Sequence, residues 1–308
     1  MINVLFSANE GWEEYGPALR IAFAKAGLDC DLRQEFPPDV VDYIVFTPNG
    51  PVTDLRPYTK TKAVLGLWAG VEAIVGNQTL TQPLCRMVDH GLTEGMVEWV
   101  TGHVLRHHLG MDAHIHGQDG VWRKGAPPLA RERKVCVLGL GALGQACAAQ
   151  LASLNFEVHG WARSLKSVAG VTCHAGEAGF DDALSGADMV VLLLPQTPAT
   201  TDILNARTLG LLAPGAAVIN PGRGPLIDDN ALLAALDSGQ IGHATLDVFR
   251  VEPLPAEHPF WAHPKVTVTP HIASETRAVT AAEVIGENIR RGEAGEPFLH
   301  LVDRDAGY

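Results

Sequence analysis

The stretch that decides the fold is Lys134-Val-Cys-Val-Leu-Gly-Leu-Gly-Ala-Leu-Gly144. Its apolar first half predicts a buried strand, and its glycines form the pattern G-x-G-x-x-G where a helix begins. In this pattern the first glycine permits a tight turn, the second lets a pyrophosphate approach the backbone, and the third lets the helix pack closely on the sheet. Free N–H groups at the helix N-terminus also favour phosphate. The stretch predicts a dinucleotide site made by Gly139, Gly141, Ala142, Leu143 and Gly144.

Repeated strand and helix patterns lie on both sides of this stretch. Before it we predict strands at Ile2–Phe6, Tyr43–Thr47 and Ala63–Leu67, and helices at Tyr15–Ala26 and 93–109. From it onward we predict strands near 135–138, 156–161, 189–194, 216–220, 243–247 and 266–268, and helices at Gln145–Leu154 and Glu275–Arg291. Such β–α repeats imply parallel sheets with right-handed crossovers. The second run interrupts the first, so we expect one domain from residues 1–95 and 275–308 and another from 96–274.

The composition indicates how many domains the chain can form and which kinds of partner and compartment are unfavourable for it. The chain has 308 residues, 46% of them hydrophobic, which is enough for two domains with separate cores. A net charge of −12 argues against general binding to nucleic acid or to an anionic membrane. The five cysteines are an odd number without a C-x-x-C pair, which favours a reducing compartment. Because no apolar run approaches a membrane span and the N-terminus reads as a strand, we expect a cytoplasmic protein.

The end of the second strand of a dinucleotide fold indicates which cofactor is bound. An Asp or Glu usually stands there when the ribose 2′-OH is recognised. This chain has His159-Gly-Trp-Ala-Arg-Ser-Leu-Lys166, which contains no carboxylate. A guanidinium, a hydroxyl and an ammonium suit a 2′-phosphate instead. We therefore predict NADP in preference to NAD, held by Trp161, Arg163, Ser164 and Lys166; the alternative is a solvated basic loop.

Two further loops follow predicted buried strands, where doubly wound sheets bind ligands. One carries Leu194 and Pro195, and the other is Asn220-Pro-Gly-Arg-Gly224. We place Leu194, Pro195, Pro221 and Gly222 along the cofactor. Arg223 offers a fork of donors that fits a planar carboxylate. On the residues alone, a rigid strand exit and a structural ion pair explain these loops equally well.

Asp247, Glu252 and His271 also follow predicted strand ends. A histidine that is paired with a carboxylate can give a proton to a carbonyl group during its reduction and take the proton back in the reverse reaction. A lone histidine at a strand end is more often structural, so these residues become informative only as part of a larger set.

That larger set resembles the D-isomer-specific 2-hydroxyacid dehydrogenase family over nearly the whole chain. The matching pieces are Trp68–Glu72, Gly139–Gly144, Leu194–Pro198, Asn220–Gly224, Leu246–Phe249, Glu252-Pro253 and Pro270–Ala273. The stretches Trp161–Ser167 and Val302–Tyr308 are most similar to members that reduce glyoxylate and hydroxypyruvate. Trp68 replaces a usual glycine or small residue, Glu72 a usual Asp, and Pro221-Gly222 a usual Val-Ala or Leu-Ala. The first two bear on the shape of the pocket and therefore on which substrate is accepted, not on the reaction type.

The resemblance implies an α/β fold of two doubly wound parallel-sheet domains, with a Rossmann-type cofactor domain inserted into a flavodoxin-like substrate domain. It implies that a small 2-oxo acid is reduced to the 2-hydroxy acid by hydride transfer from NADPH, with NADH as the alternative donor. The resemblance also implies the roles of single residues. Arg223 holds the oxo acid, His271 is the general acid, and Glu252 pairs with His271. Asp247 orients the nicotinamide carboxamide, and the backbone at Ala69, Gly70 and Val71, beside Trp68, binds the substrate carboxylate.

Two alternative functions stay open at this point. One is an NAD-linked dehydrogenase of a bulkier 2-hydroxy acid, and the other is a nucleotide-sensing binding protein like the corepressors of this fold. The presence of Arg223, Glu252 and His271 together favours an enzyme. The residues Trp68, Pro48 and Trp261 line the pocket or, equally well, belong to the cores.

The histidines around the helix 93–109 raise the question of a metal. His103 and His107 stand four residues apart, which suits zinc, but no H-E-x-x-H order is present and hydride transfer needs no metal. We expect no metal and take His103, His107, His108, His114 and His116 as surface or interface residues. In the family this helix and the following loop form a dimer contact, so we expect a homodimer.

Overall fold

The computed structural model describes residues 1–304, 306 and 307. Asp305 and Tyr308, which belong to the family-like ending and to the predicted domain 275–308, lie outside the described residues. The strands are β1 Ile2–Ser7, β2 Cys30–Arg33, β3 Tyr43–Phe46, β4 Ala63–Gly66, β5 Leu84–Cys85, β6 Lys134–Leu138, β7 Glu157–Ala162, β8 Val171–Ala175, β9 Met189–Leu192, β10 Ala216–Asn220, β11 Ile241–Leu246 and β12 Val266–Val268. The α-helices are α1 Trp12–Lys25, α2 Glu72–Val75, α3 His90–His108, α4 Met111–His116, α5 Ala142–Ser153, α6 Gly176–Leu184, α7 Ala206–Leu209, α8 Asp229–Ser238 and α9 Ala278–Ala294.

The chain divides into two compact units, each with its own sheet. The first unit contains residues 1–92 and 275–308, and the second contains residues 93–274. The first sheet has the order β2-β1-β3-β4-β5 and is parallel, which is the flavodoxin-like order. Both of its faces are covered, so β3 is buried along its whole length. Helices α1 and α9 share the core on one face.

The second unit is built on the parallel order β12-β11-β10-β9-β6-β7-β8. Strands β6 to β8 run outward in one direction and β9 to β12 in the other, as in the doubly wound dinucleotide fold. The order reverses between β6 and β9, so the glycine turn after β6 lies at the switch point. These two sheets confirm the predicted fold class.

The sequence did not reveal β2, β5 and β8. Strand β8 is an edge strand without a fully buried residue, β2 is an edge strand in which only Leu32 is buried, and β5 has two residues. Strands β2 and β8 therefore lack the apolar run that marks a buried strand, and β5 is too short to show one. The predicted helix at 93–109 is confirmed by α3, in which Met96, Val100 and Val104 are buried at helical spacing.

The prediction of surface positions was wrong for two histidines of α3. His108 is buried, and the ring nitrogen Nε2 of His107 lies 2.9 Å from the hydroxyl oxygen of Thr245 in β11. The His107 ring also packs against His243, with ring centres 5.0 Å apart. His107 therefore faces β11, whereas the ring of His108 packs edge-on against Phe156, with ring centres 5.0 Å apart. His114 and His116 are exposed, as expected.

The buried histidines predict a loss of stability in mild acid. Burial lowers the pKa of His107 to about 3 from its ordinary value of 6.5. The unfolded chain therefore takes up a proton below pH 6.5 that the folded protein does not, and stability is complete above pH 6.5 and falls as the pH drops toward 3. His107 alone should lower the free energy of unfolding by about 2 kcal/mol between pH 7 and pH 5. Urea unfolding at both pH values measures this.

The variant His107→Gln keeps a polar partner for Thr245 but does not titrate, so its stability should depend less on pH. An equal pH dependence in this variant and the wild type would show that His107 is not responsible.

Candidate active site

The glycine turn after β6 has the geometry that a dinucleotide phosphate needs. Gly139 has φ +104°, a left-handed conformation that favours glycine. A Cβ at Gly144 would lie 1.7 Å from the carbonyl oxygen of Gly139, so α5 reaches the strand only without a side chain there. A Cβ at Gly141 would meet nothing within 4 Å, which leaves open space in front of Ala142 and Leu143 at the start of α5. These residues fit a pyrophosphate at the helix N-terminus.

The loop after β7 is exposed and basic. Arg163, Ser164 and Lys166 follow directly on the last residue of the strand, Ala162, and all three are exposed. Trp161 lies within the strand, and its indole N–H donates to the carbonyl oxygen of Gly176 at 2.8 Å. Its ring also packs edge-on against Phe180. The structure thus gives Trp161 a packing role, and the predicted cofactor contacts of this loop stay predictions.

The loop after β9 lies against the glycine turn. The backbone of Leu193 approaches Gly139 so closely that a Cβ at Gly139 would lie 2.6 Å from the Leu193 carbonyl oxygen. Leu194 is buried, and the Thr200 hydroxyl donates to the carbonyl oxygen of Pro195 at 2.7 Å. The loop that carries Leu194 and Pro195 is therefore held beside the predicted phosphate site.

The loop that carries Arg223 is shaped by Asn220 at the end of β10. The Asn220 amide donates to the carbonyl oxygen of Arg223 at 2.9 Å and accepts from the N–H of Gly222 at 3.1 Å. Pro221 and Gly222 are buried, and the Arg223 guanidinium donates to the carbonyl oxygen of Gly222 at 2.6 Å. The role of Asn220 in fixing this loop was not predicted from the sequence. A polar residue that closes the apolar run Ala216–Ile219 was the available signal.

Gly224 sets the position of Arg223 through a backbone contact. A Cβ at Gly224 would lie 2.0 Å from the carbonyl carbon of Phe249, so any side chain forces the two loops apart. We expect Gly224→Ala to lower the free energy of unfolding by about 3 kcal/mol, because the backbone has to move. We expect activity to fall about 100-fold, because Arg223 is displaced. Urea unfolding and steady-state kinetics measure the two effects.

Gly102→Ala is the matched control for that prediction. Gly102 lies in α3 with nothing within 4 Å of an added Cβ, so alanine there should stabilise the helix by up to about 1 kcal/mol. Wild-type stability in Gly224→Ala would contradict the backbone contact.

His271 and Glu252 form the predicted pair. Nδ1 of His271 lies 2.7 Å from a carboxylate oxygen of Glu252, and the other carboxylate oxygen accepts from the N–H of Phe249 at 2.8 Å. The imidazole is 51% exposed. His271 has φ +56°, a conformation that is uncommon outside glycine and that often marks functional sites. Since Nδ1 is engaged by Glu252, Nε2 is the ring nitrogen that can exchange a proton with a ligand.

Asp247 is buried and holds the loop on which His271 stands. One carboxylate oxygen accepts from the Thr269 hydroxyl at 2.6 Å and the Ile272 N–H at 2.9 Å, and the other accepts from the Ala273 N–H at 2.8 Å. The backbone N–H of His271 donates to the Asp247 carbonyl oxygen at 2.8 Å. This function of Asp247 was not predicted from the sequence; the available signal was the Thr269 hydroxyl beside Pro270-His271.

In the first unit, the segment Trp68–Val71 follows β4. The indole of Trp68 is 43% exposed, and its carbonyl oxygen accepts from the N–H of Met87 at 3.0 Å. Ala69 and Gly70 are partly buried, while Val71 is buried and begins the turn of α2. Pro48, in the loop after β3, is also partly buried.

Trp261 belongs to the second unit. Its ring is 52% exposed, and its indole N–H donates to the carbonyl oxygen of Pro255. Within residues 1–304, 306 and 307, no group of three or more His, Cys, Asp or Glu side chains is arranged to hold a metal ion. Over the same residues, no helix combines the length and the apolar character needed to cross a bilayer.

Comparisons with known proteins agree with this geometry. Residues 101–273 match the family described as D-isomer specific 2-hydroxyacid dehydrogenase, NAD binding domain. Glyoxylate/hydroxypyruvate reductase A of Yersinia enterocolitica is 38% identical over 87% of this chain and 88% of its own length. The chain belongs to the D-isomer specific 2-hydroxyacid dehydrogenase family. It is accordingly an oxidoreductase, and the family's NAD-binding region lies in the second unit.

Other relatives of this dehydrogenase support the same assignment. Glyoxylate/hydroxypyruvate reductase A of Serratia proteamaculans is 40% identical over 81% of this chain and 82% of its own length. A D-isomer specific 2-hydroxyacid dehydrogenase of Xanthobacter autotrophicus, solved with NADPH and MES, is 41% identical, with a TM-score of 0.93 over 100% of this chain and 99% of that one. The NADPH-dependent glyoxylate/hydroxypyruvate reductase of Sinorhizobium meliloti, solved with NADP and sulfate, is 34% identical, with a TM-score of 0.89 over 100% of both chains.

Proposed function

We propose that this dehydrogenase uses NADPH to reduce glyoxylate, hydroxypyruvate and similar small 2-oxo acids to the 2-hydroxy acids. The observation that carries the proposal is the 2.7 Å pair of His271 and Glu252 at the carboxyl end of the sheet that also bears the glycine turn. Relatives named glyoxylate/hydroxypyruvate reductase A support the substrate class, and the neighbours solved with NADPH or NADP support the cofactor.

In the proposed reaction His271 gives a proton from Nε2 to the ketone oxygen of the substrate. Glu252 holds Nδ1 and so fixes the ring orientation and the nitrogen that faces the substrate. Arg223 binds the oxo acid through its guanidinium fork. The bound nicotinamide supplies the hydride that reduces the keto carbon. Asp247 keeps His271 in place through its bonds to the loop 269–273, and contact with the nicotinamide carboxamide stays a prediction for it.

The remaining site residues are proposed in two groups. In the first unit, the backbone N–H groups of Ala69, Gly70 and Val71 bind the substrate carboxylate, and Trp68 limits the size of the substrate. In the second unit, the phosphates and the adenosine half of the cofactor are held by Gly139, Gly141, Ala142, Leu143, Gly144, Trp161, Arg163, Ser164, Lys166, Leu194, Pro195, Pro221 and Gly222. The first unit is thus the proposed substrate domain and the second the proposed cofactor domain.

The test is a panel of 2-oxo acids with both cofactors. Glyoxylate and hydroxypyruvate should oxidise NADPH with a higher kcat/KM than phenylpyruvate, and NADPH should be preferred to NADH. A preference for NADH and phenylpyruvate would indicate the dehydrogenase of bulkier acids. No turnover of any member would overturn the proposal and favour the nucleotide-sensing protein.

We propose that the protein is a homodimer. Helix α4 and the loop after it expose a run of large apolar side chains, with Trp122 88% exposed, Val121 61% and Ile115 59%. Exposed apolar patches of this kind mark protein interfaces. Light scattering coupled to size exclusion should give twice the mass of the chain, and Trp122→Glu should shift it toward the monomer. A monomeric wild type would overturn the assignment.

We also propose a cytoplasmic location. All five cysteines are free thiols, which is typical of a reducing compartment. Fractionation of cells that produce the protein would test this, and recovery from an oxidising compartment would contradict it.

A further inference from the structure

Arg86 directly follows β5 at the carboxyl end of the sheet in the first unit. Strands β4 and β5 run parallel, with Val64 beside Leu84 and Leu65 beside Cys85, so the backbone of Arg86 comes next to that of Gly66. The next residue, Met87, donates its N–H to the carbonyl oxygen of Trp68. Open α/β sheets bind ligands at this end. The hydrogen bond of Met87 therefore places the backbone of Arg86 beside the segment that is proposed to bind the substrate carboxylate.

The guanidinium of Arg86 is partly buried without an anion. Among the residues that the structure describes, no side chain or carbonyl group forms a hydrogen bond or ion pair with it, and burial lowers its pKa with no opposing contribution from a carboxylate. Other partly buried arginines are paired: Arg106 lies 2.8 Å from Asp112 and Arg133 lies 2.7 Å from Asp188. A cation that is removed from water without a counter-charge raises the free energy of the folded protein.

The segment 299–302 lies beside Arg86 and brings no acidic side chain to it. The N–H of Arg86 donates to the carbonyl oxygen of His300 at 3.0 Å, which brings the segment 299–302 alongside β5. Burial, and then the charge of Arg86, lowers the pKa of His300, which favours its neutral imidazole. The residues 84–88 and 299–302 include no Asp or Glu, and Asp89 and Asp303, which follow directly, do not affect the pKa of Arg86. The charge of Arg86 is therefore not offset by these two segments.

We propose that Arg86 binds a carboxylate of the 2-oxo acid, as a cationic contact of the first unit in addition to Arg223. This inference rests on the proposed function. A protein with a net charge of −12 repels an anionic substrate, so it needs local positive charge where the substrate binds. The planar fork of a guanidinium matches a carboxylate. The substrate would also provide the counter-charge that Arg86 lacks.

The test compares Arg86→Met with the wild-type enzyme. Removal of a charge-assisted hydrogen bond should raise KM for glyoxylate roughly tenfold or more. Removal of an uncompensated buried charge should at the same time raise Tm of the substrate-free enzyme by about 2 °C. Oxalate, an unreactive carboxylate, should raise Tm of the wild-type NADPH complex and much less that of the variant. A merely structural arginine would give the opposite change in Tm.

Arg131→Met is the matched control, because it removes one positive charge from an exposed position before β6. It should leave KM and the oxalate response as in the wild type. Arg86→Lys retains the charge without the fork, and KM should rise about threefold to tenfold. This second variant decides the question if Arg86→Met does not fold.

The proposal for Arg86 is overturned if either Arg86 variant keeps the wild-type KM and oxalate response. An increase in KM that Arg131→Met reproduces would also overturn it, because net charge would then be the cause. These failures differ from failure of the proposed function, in which the wild-type enzyme itself turns over no 2-oxo acid.

Discussion

Replacing His271 with glutamine should lower kcat for glyoxylate reduction by about two to four powers of ten, because the general acid for the ketone oxygen is lost. Glutamine can still accept or donate a hydrogen bond at this place but cannot transfer the proton. The hydrogen bonds of His271 are to Glu252, Asp247 and Thr269, so we expect NADPH binding at Gly139 to be unchanged. Steady-state kinetics with NADPH, together with NADPH binding followed by fluorescence, would measure both effects.

His90→Gln is the control for this prediction, since His90 is an exposed histidine at the start of α3. Its kinetics should match those of the wild type. Glu252→Gln should lower kcat by less than His271→Gln, because a neutral amide can still hold the ring. Activity within about tenfold of the wild type in His271→Gln would show that another group donates the proton.

Replacing Arg163 with aspartate should invert the cofactor preference. Arg163 follows β7, where enzymes that recognise the ribose 2′-OH carry an acidic residue. A carboxylate there would repel the 2′-phosphate, and the contact of the guanidinium fork would be lost. We expect kcat/KM for NADPH to fall roughly 100-fold, which corresponds to about 2.7 kcal/mol. The value for NADH should change much less.

Arg131→Asp provides the comparison for Arg163, since it makes the same change of charge at the amino end of the sheet. It should affect both cofactors equally and weakly. Equal losses for NADPH and NADH in Arg163→Asp would mean that Arg163 does not contact the 2′-phosphate.

Predictions from the sequence were most reliable at positions where the backbone geometry permits only one residue type. Gly144 is such a position, because the carbonyl group of Gly139 occupies the place of a Cβ. The long apolar strands β6, β9 and β10 were also predictable, because both of their faces are buried. Strand β8 was not, since none of its residues is fully buried and its sequence contains no continuous apolar run.

The roles of individual polar groups could not be read from the sequence. The prediction that Asp247 orients the nicotinamide stays a prediction, but the sequence did not reveal that both of its carboxylate oxygens bond the loop that carries His271. Trp161 was predicted as a cofactor residue, and its indole N–H bonds Gly176. A side chain's partners depend on loops that are distant in sequence, and no local pattern specifies them. For the same reason, the sequence could not show that the Arg86 guanidinium has no counter-ion among the residues that the structure describes.

The discontinuity of the first unit has a consequence for biosynthesis. Helix α1 buries Leu19 and Phe23 in a core that also includes Ala281 and Ile285 of α9, and the whole second unit is translated between these two helices. At ordinary rates of translation this interval lasts about 10–40 s, during which the contiguous second unit can fold. The first unit cannot complete its core during this interval, and the apolar surface of α1 stays exposed to chaperones. Limited proteolysis of a chain stopped at Ser274 should spare the seven-stranded sheet and cleave the five-stranded one.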